Sequence, residues 1–202
     1  MLAIVDYGAG NLQSVKKALD FIGATAEITA DAEAVRGAAG VILPGVGEFG
    51  DAMRGMRPAL AQAVRDAADG SRPFLGICLG QQLLFATSEE SPGAAGLSIL
   101  PGHVLRIPAI DGQKVPHMGW NSLRLARRDG IFEGIPQDAY VYFVHSFYVK
   151  AEGEALVAAR TDYGVAMDTA VMTGLLTAVQ FHPEKSGEVG LAMLRNFARM
   201  CC

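Results

Sequence analysis

The segment RPFLGICLGQQLLF, Arg72 to Phe85, joins two apolar runs through a cysteine that lies between two glycines. The first run predicts a buried strand, and the residues from Leu79 to Ser88 predict a helix. Cys78 would then lie at a tight strand-to-helix bend, with its side chain above the sheet and over the free N–H groups of the helix. These groups would favour the thiolate and stabilise a neighbouring oxyanion. A lone cysteine is also often a small buried hydrophobe, so this pattern alone leaves both interpretations open.

The first half of the chain repeats this strand–helix order. Gly76 and Gly80 would keep β-carbons out of the bend, and Asn11 stands where a helix cap belongs. A helical pattern also runs to about Ala68, with an interruption near Pro58. Further strands are predicted at residues 2–6, 25–29 and 40–45. The alternation predicts a parallel sheet covered by helices on both faces. Ligands bind beyond the carboxyl ends of such strands, at residues 6–11, 44–50 and 76–80.

The second half has a different pattern. Short β-rich runs with turn signals follow one another from Leu97 to Gln180, one of them at residues 139–149, and an apolar stripe in the last segment predicts a closing helix. Since nothing resembles a linker, residues 1–202 are expected to form a single α/β domain. Its central sheet would be mostly parallel and flanked by helices, with an added antiparallel, β-rich second half.

The composition excludes several functional classes. Of the 202 residues, 50% are apolar and 19% are charged, and the net charge of −4 gives no reason to expect nucleic-acid or anionic-membrane binding. The sequence begins without a basic leader, and its apolar runs are too short to span a membrane. Cys78, Cys201 and Cys202 make no disulfide framework, so a cytoplasmic location is expected. The terminal cysteine pair is expected to be a frayed tail.

A cysteine nucleophile needs a base, and His182 is the best candidate among four histidines. It occurs in the segment QFHPEKSG, where Pro183 biases it toward an extended conformation. Glu184, two residues later, would return to the same side of the chain and orient the imidazole. His103, His117 and His145 are scattered without metal-ligand spacing, so no metal or other cofactor is expected. His-Pro-Glu is also an ordinary turn, and only its combination with the cysteine bend favours catalysis.

Six segments together resemble the class I glutamine amidotransferases, and more narrowly the glutaminase subunits of imidazole glycerol phosphate synthases. The bend and His-Pro-Glu occur across the class. The other four segments are VDYGAGNLQSV, LPGVGEFGDAM, VPHMGWNSL and YFVHSFYV, and the order is kept along nearly the whole chain. The narrower resemblance depends on DYGAGN, PGVGEFG and PHMGWN.

The resemblance implies a role for each matching residue. Cys78 would be the nucleophile, His182 the base and acid, and Glu184 the residue that orients it. The oxyanion and substrate contacts would come from Gly45, Val46, Gly47, Leu79, Gln82, Ser146 and Phe147. Phe147 and Gln81 depart from the family's habits, which are Tyr and Met at these positions.

The resemblance also implies a reaction and a partner. Glutamine would be hydrolysed to glutamate and ammonia, and a (β/α)8-barrel cyclase subunit would use the ammonia in histidine biosynthesis, within a heterodimer. It would form imidazole glycerol phosphate and AICAR. Asn11, Trp120 and Lys185 are the candidate interface residues, although a lone tryptophan could equally belong to the core.

Three other functions stay open from the sequence. Another class I amidotransferase, such as the glutaminase subunit of pyridoxal phosphate synthase, shares the bend and the His-Pro-Glu segment. A cysteine peptidase or stress protein of the same α/β superfamily needs a similar bend. A nucleotide-binding module could use Gly8 and Gly10, but Gln13 replaces the third glycine of that fingerprint.

Overall fold

The computed structural model describes residues 1–8 and 10–201. Ala9, inside the predicted turn after the first strand, and Cys202 lie outside the described residues. The strands are β1 Leu2–Val5, β2 Ala26–Thr29, β3 Gly40–Gly45, β4 Phe74–Cys78, β5 Gly102–Arg106, β6 His117–Ser122, β7 Arg124–Leu125, β8 Tyr140–His145, β9 Phe147–Ala151, β10 Val157–Tyr163, β11 Val165–Thr173 and β12 Leu176–Val179. The α-helices are α1 Leu12–Phe21, α2 Ala32–Arg36, α3 Phe49–Gly55, α4 Pro58–Ala67, α5 Leu79–Gln82 and α6 Gly187–Met200.

An eight-stranded sheet forms the centre of the fold, in the order β2-β1-β3-β4-β12-β11-β10-β7. The five strands from β2 to β12 are parallel, and β11, β10 and β7 continue the sheet in antiparallel fashion. Two antiparallel pairs, β5 with β9 and β6 with β8, lie outside this sheet. The predicted α/β class, with a β-rich second half, is therefore correct.

Both faces of β1, β3, β4 and β12 are buried, and successive side chains of each strand point to opposite sides of the sheet. On one face, Val5 and Leu43 join the cluster that includes Leu60 of α4. On the other face, Ile4 packs in the cluster that contains Phe197 of α6. The helices therefore cover the two faces, and the carboxyl ends of the strands remain as an edge where loops meet.

The helix predicted after Cys78 is shorter than expected. The structure ends α5 at Gln82, because the next carbonyl groups accept hydrogen bonds from a later segment instead of continuing the helix. Leu97 N–H donates to Leu83, and Ile99 and Leu100 both donate to Leu84. The predicted interruption near Pro58 is confirmed, since Pro58 is the first residue of α4. Helix α2 was not predicted from the sequence.

The predicted β run from residue 139 to 149 is two strands in two different sheets. Strand β8 pairs with β6, β9 pairs with β5, and the chain bends at Ser146 between them. Strand β6 was missed by the sequence pattern. The bend brings Ser146 to the edge of the candidate site.

The structure corrects two local predictions. Asn11 precedes α1 but has a left-handed conformation with φ 74°, and its side chain makes no capping hydrogen bond to α1. Cys201 is not frayed, because it packs against the cluster of Phe197 and its Sγ donates to Phe197 O at 3.2 Å. The partner cysteine of the predicted tail, Cys202, lies outside the described residues. None of the described helices is long and apolar enough to cross a membrane.

Candidate active site

Cys78 ends β4 in a strained backbone conformation. Its φ of 55° and ψ of −111° are rare for a residue with a β-carbon. The chain is packed so tightly at the bend that a β-carbon at Gly80 would overlap the carbonyl oxygen of Leu43. A β-carbon at Gly76 would lie 3.0 Å from the β-carbon of Ala178. Both glycines therefore allow close packing at the bend, as the sequence predicted.

Two neighbouring strands bring distant side chains together at this edge. Strands β4 and β12 are parallel, with Ile77 opposite Val179, so Cys78 and Gln180 leave the sheet side by side. Gln180 Nε2 donates to Cys78 Sγ at 3.6 Å. The buried His182 follows two residues later, and the adjacency of β4 and β12 brings it to the cysteine.

His182 and Glu184 form a buried pair. His182 Nδ1 lies 2.7 Å from Glu184 Oε1, and both side chains are fully buried. His182 is extended as expected, but Pro183–Lys185 form a 3-10 turn, so the chain does not stay extended up to Glu184. Backbone anchoring fixes the histidine, since His182 N donates to Tyr142 O at 3.0 Å and Ser186 Oγ donates to His182 O at 2.6 Å.

The charge state of His182 follows from its neighbours. Burial lowers its pKa, but the Cys78 thiol group and the Glu184 carboxylate outweigh this and raise the pKa to about 9. Its Nε2 makes no hydrogen bond of normal geometry within residues 1–8 and 10–201. Cys78, at the end of β4, and His182, just beyond the adjacent β12, leave the sheet at the same edge. The imidazole can therefore hold a proton between a sulfur and a carboxylate.

Asn11 contacts the same carboxylate oxygen as His182. Its Nδ2 donates to Glu184 Oε1 at 2.5 Å. The first βα loop therefore supplies a donor to the His182–Glu184 pair instead of a helix cap. Asn11 is half-buried and its side chain bonds within the chain, and its predicted interface role stays a prediction.

A cavity of about 280 Å³ lies next to Cys78. Besides Cys78, its lining includes most of the predicted oxyanion and substrate contacts, namely Val46, Gly47, Leu79, Gln82, Ser146 and Phe147. Gly45 lies behind them in β3, opposite Cys78. A larger apolar groove of about 600 Å³ runs along α6, near Ile22 and Ala192. The smaller cavity is the better candidate, because its lining includes Cys78 and that of the larger groove does not.

Main-chain groups shape the wall of this cavity. Phe147 O accepts a hydrogen bond from Gln82 Nε2 at 3.0 Å, and Gln82 Nε2 also donates to Gln180 Oε1 at 2.9 Å. The Phe147 ring faces Arg106 instead. Gln81 is buried and donates to Ala178 O at 3.3 Å. The two departures from the family's habits therefore leave these main-chain contacts in place.

Glu90 and Gln180 belong to the site but were not among the predicted residues. Glu90 lines the cavity, and its Oε2 accepts from Phe49 N at 2.9 Å. Burial raises the pKa of the Glu90 carboxyl, and the charge of Glu48 adds to this effect. Gln180, two residues before His182, could have been found from its position at the end of a strand. Glu90 gave no such signal, because it lies in an irregular segment.

The remaining predicted residues lie near the site on an exposed surface. Trp120 on β6 is 54% exposed, so it does not belong to the core, and it lies edge-on to Tyr142 of β8. Met118 and Tyr140 on the same two-stranded pair are also exposed. Lys185 is exposed beside Glu184. The exposed side chains of β6 and β8, Met118, Trp120 and Tyr140, are called the ribbon patch below.

Comparison with known proteins gives a consistent result. The profile of the family described as glutamine amidotransferase class-I matches residues 3–201. A protein of Moorella thermoacetica named imidazole glycerol phosphate synthase subunit HisH is 50% identical over 98% of this chain and 94% of its own length. A protein of the same name from Methanothermobacter thermautotrophicus is 49% identical over 99% of this chain and 98% of its own.

Solved structures share the fold at lower identity. One described as a glutamine amidotransferase superposes with a TM-score of 0.75 at 24% identity, covering 98% of both chains. The structure described as PurLQS from Thermotoga maritima gives a TM-score of 0.74, at 19% identity over 98% of this chain and 97% of that one. The family profile and the full-length relatives confirm the resemblance seen in the sequence. The chain belongs to the class I glutamine amidotransferase family, in the group of imidazole glycerol phosphate synthase HisH subunits.

Proposed function

We propose that this chain hydrolyses glutamine to glutamate and ammonia at Cys78 and delivers the ammonia to a cyclase subunit. Residues 1–202 would act as one domain, within a cytoplasmic heterodimer. The observation that carries the proposal is the convergence of Cys78, His182 and Glu184 at one strand edge, in a chain 50% identical to a HisH subunit.

The first half-reaction joins the substrate to the cysteine. The Cys78 thiolate attacks the side-chain carbonyl carbon of glutamine, and the resulting oxyanion is stabilised by backbone N–H groups of Leu79 and the residues 45–47 loop. His182 gives its proton to the leaving nitrogen, the C–N bond breaks, and ammonia departs. Each backbone N–H that donates a hydrogen bond to the oxyanion would contribute a factor of about 10²–10³ to the rate.

The second half-reaction frees the enzyme. Neutral His182 takes a proton from water, the hydroxide attacks the glutamyl thioester, and the C–S bond breaks to give glutamate and the thiolate. Glu184 holds Nδ1 of His182 and so keeps Nε2 directed at the reacting atoms. The 2.7 Å contact between these side chains supports this assignment.

The cavity supports glutamine as the substrate. Its volume of about 280 Å³ lies near the lower end of small-molecule pockets. We assign Glu90 to the α-amino group of glutamine, because a partly buried carboxylate in the wall can pair with an ammonium group. Gln82 would act mainly through Phe147 O, to which it already donates.

The ribbon patch supports a protein partner. Exposed aromatic side chains beside a catalytic pocket are typical of interface hot spots. We propose that the (β/α)8-barrel cyclase docks here and that Lys185 faces it. The cyclase would combine the ammonia with its phosphoribulosyl-formimino-AICAR phosphate substrate, so hydrolysis would be coupled to cyclase ligand binding.

The test is a glutaminase assay with and without the cyclase and its ligand. Cys78→Ala and His182→Ala should remove almost all hydrolysis, while Glu184→Gln leaves a measurable remnant. Cys201→Ala is the matched thiol control and should keep the wild-type rate.

A glutamine-like electrophile should label Cys78 stoichiometrically and leave Cys201 unmodified. Wild-type turnover by Cys78→Ala would refute the assignment, and equal rates with and without cyclase would refute the coupling.

A further inference from the structure

Two buried histidines outside the proposed triad lie at the cavity, one in its wall and the other bonded to the first from behind. His145 ends β8 and is 6% exposed, and His117 begins β6 opposite it and is 3% exposed. His117 Nδ1 lies 3.0 Å from His145 Nε2, and His145 Nδ1 lies 2.8 Å from Phe147 O. His145 also lines the cavity. The proposed reaction uses neither ring.

The hydrogen bonds fix the proton positions on both rings. A carbonyl oxygen only accepts, so His145 Nδ1 must carry a proton, and in the neutral ring Nε2 is then an acceptor. His117 Nδ1 must therefore donate to it, which leaves His117 Nε2 as an acceptor for Asn121 Nδ2 at 3.3 Å. The orientation of Asn121 is fixed in turn, because its Oδ1 accepts from Ser122 N at 2.8 Å.

This chain continues to the cysteine. Phe147 O accepts from both His145 and Gln82, Gln82 also donates to Gln180 Oε1, and Gln180 Nε2 donates to Cys78 Sγ. Gln82 Nε2 uses both of its N–H groups, one toward Phe147 O and one toward Gln180 Oε1. A single set of side-chain orientations therefore links β6 to the sulfur.

The rings are also restrained by packing. His117 is stacked between Phe143, at a centroid distance of 4.7 Å, and Tyr163, at 4.0 Å. An added proton on His145 Nε2 would face the N–H of His117 Nδ1, and one on His117 Nε2 would face the N–H of Asn121 Nδ2. Burial lowers the pKa of His145 to about 3 and that of His117 to about 4, and the nearby His182 charge acts in the same direction on His145.

Two other roles fit the geometry poorly. A proton relay would need a titratable group at its outer end, but the chain ends at the amide of Asn121. A metal site would need further ligands, and within the described residues no group of three His, Cys, Asp or Glu side chains could hold an ion.

We propose that His117 and His145 are positioning residues of the glutaminase reaction. As neutral rings, each with its proton on Nδ1, they hold the Phe147 carbonyl and the cavity wall around it. With the Phe147 carbonyl held in place, Gln82 and Gln180 orient the Cys78 thiol toward bound glutamine. The proposal rests on the proposed function, which it deepens.

Kinetics of matched variants provide the first test, measured on the complex with the cyclase. His145→Phe keeps the ring shape and removes both nitrogens, so kcat/KM for glutamine should fall about tenfold or more. His145→Asn keeps a donor at the position of Nδ1 and should restore part of this loss. His103→Phe, on an exposed histidine bonded to Thr87, is the control and should be unchanged.

Labelling of Cys78 separates positioning from a general loss of structure. In His145→Phe, labelling by a glutamine-like electrophile should slow about tenfold, while labelling by iodoacetamide should change less than twofold. Equal slowing with both reagents, or an equal loss in the Phe and Asn variants, would indicate a merely structural role and overturn the proposal. Wild-type kinetics in His145→Phe would also overturn it.

A spectroscopic measurement keeps the test independent of activity. The 15N shifts of His117 and His145 in the wild-type protein should show a protonated Nδ1 and an unprotonated Nε2 on both rings at pH 7. A protonated Nε2 on His145 would overturn the proposal whatever the kinetics. If the wild-type complex hydrolyses no glutamine while these shifts are as expected, the proposed function fails and the tautomer assignment still holds.

Discussion

Asn11 donates a hydrogen bond of 2.5 Å to Glu184, which lies 173 positions later in the chain. The same oxygen, Oε1, contacts Nδ1 of His182. The donor and the imidazole therefore share one carboxylate oxygen, and the loop after β1 is tied to the turn after β12. The other oxygen of Glu184 is buried and makes no hydrogen bond in the described part of the chain.

Removal of this donor should affect both activity and stability. We expect Asn11→Ala to lower kcat for glutamine hydrolysis about tenfold and the free energy of unfolding by about 1.5–3 kcal/mol, since the lost bond is to a charged group. Steady-state kinetics and urea unfolding measure the two effects. Gln13→Ala, at an exposed position of α1, is the control. Wild-type values of both quantities for Asn11→Ala would contradict this interpretation of the bond.

The strained bend at Cys78 predicts an unusual order of stabilities. A φ of 55° with ψ of −111° suits glycine and disfavours every residue with a β-carbon. Cys78→Gly should therefore have a free energy of unfolding about 1 kcal/mol higher than that of Cys78→Ala, as measured by urea unfolding, although both variants are inactive. The pair differs only by one methyl group, so each variant is the control for the other. A more stable alanine variant would show that the backbone is unstrained.

The ribbon patch should dominate binding of the cyclase. Trp120→Ala is expected to weaken the complex by about 2 kcal/mol or more, which is at least about 30-fold in Kd, with little change in stability of the free chain. Calorimetric titration against the cyclase measures this. Leu175→Ala provides a control, because Leu175 is also a partly exposed apolar residue but lies next to the opposite, amino end of β12. Equal effects of the two substitutions would argue against docking at β6 and β8.

The two buried histidines predict acid lability. The pKa is lowered by burial to about 3 for His145 and about 4 for His117, whereas in the unfolded chain it is about 6.5. Below pH 6.5 the unfolded chain binds protons that the native state does not, so their stabilisation is complete above pH 6.5 and is lost as the pH falls toward 4. The two groups together add at most about 2.7 kcal/mol per pH unit to this slope.

Urea unfolding between pH 5 and 7 measures that slope. A double variant, His117→Asn with His145→Asn, should show a shallower dependence than the wild type. His103→Asn should keep the wild-type slope, because His103 is exposed. Parallel slopes for the double variant and the wild type would mean that the two rings bind protons equally in the folded and the unfolded state, which would contradict the lowered pKa values.

Much of the site was predictable because its signals are local. The bend at Cys78 depends on Gly76 and Gly80, which lie within two residues of it, and the glycine at position 80 is required by a contact that any β-carbon would violate. The His182–Glu184 contact spans two residues. Asn11 was placed correctly before a helix, but the sequence could not indicate that its side chain bonds a distant carboxylate rather than the helix.

The errors occurred where backbone groups chose partners far along the chain. The helix after Cys78 was predicted to reach Ser88, but the carbonyls of Leu83 and Leu84 bond residues 97–100. The run through Ser146 has the composition of a single strand, and only the separate pairing of β8 and β9 divides it. Propensity and periodicity report on neighbours in sequence and carry no information about such pairings.

Short-range chemistry in the sequence was enough to fix the parallel α/β scaffold, the cysteine bend and the histidine–carboxylate pair, because each depends on residues a few positions apart. Only the tertiary structure decided which carbonyls and carboxylates the remaining polar groups would meet. The positions of Asn11, Glu90, His117 and His145 are of this kind, since a buried polar group must find a hydrogen-bond partner wherever the folded chain supplies one.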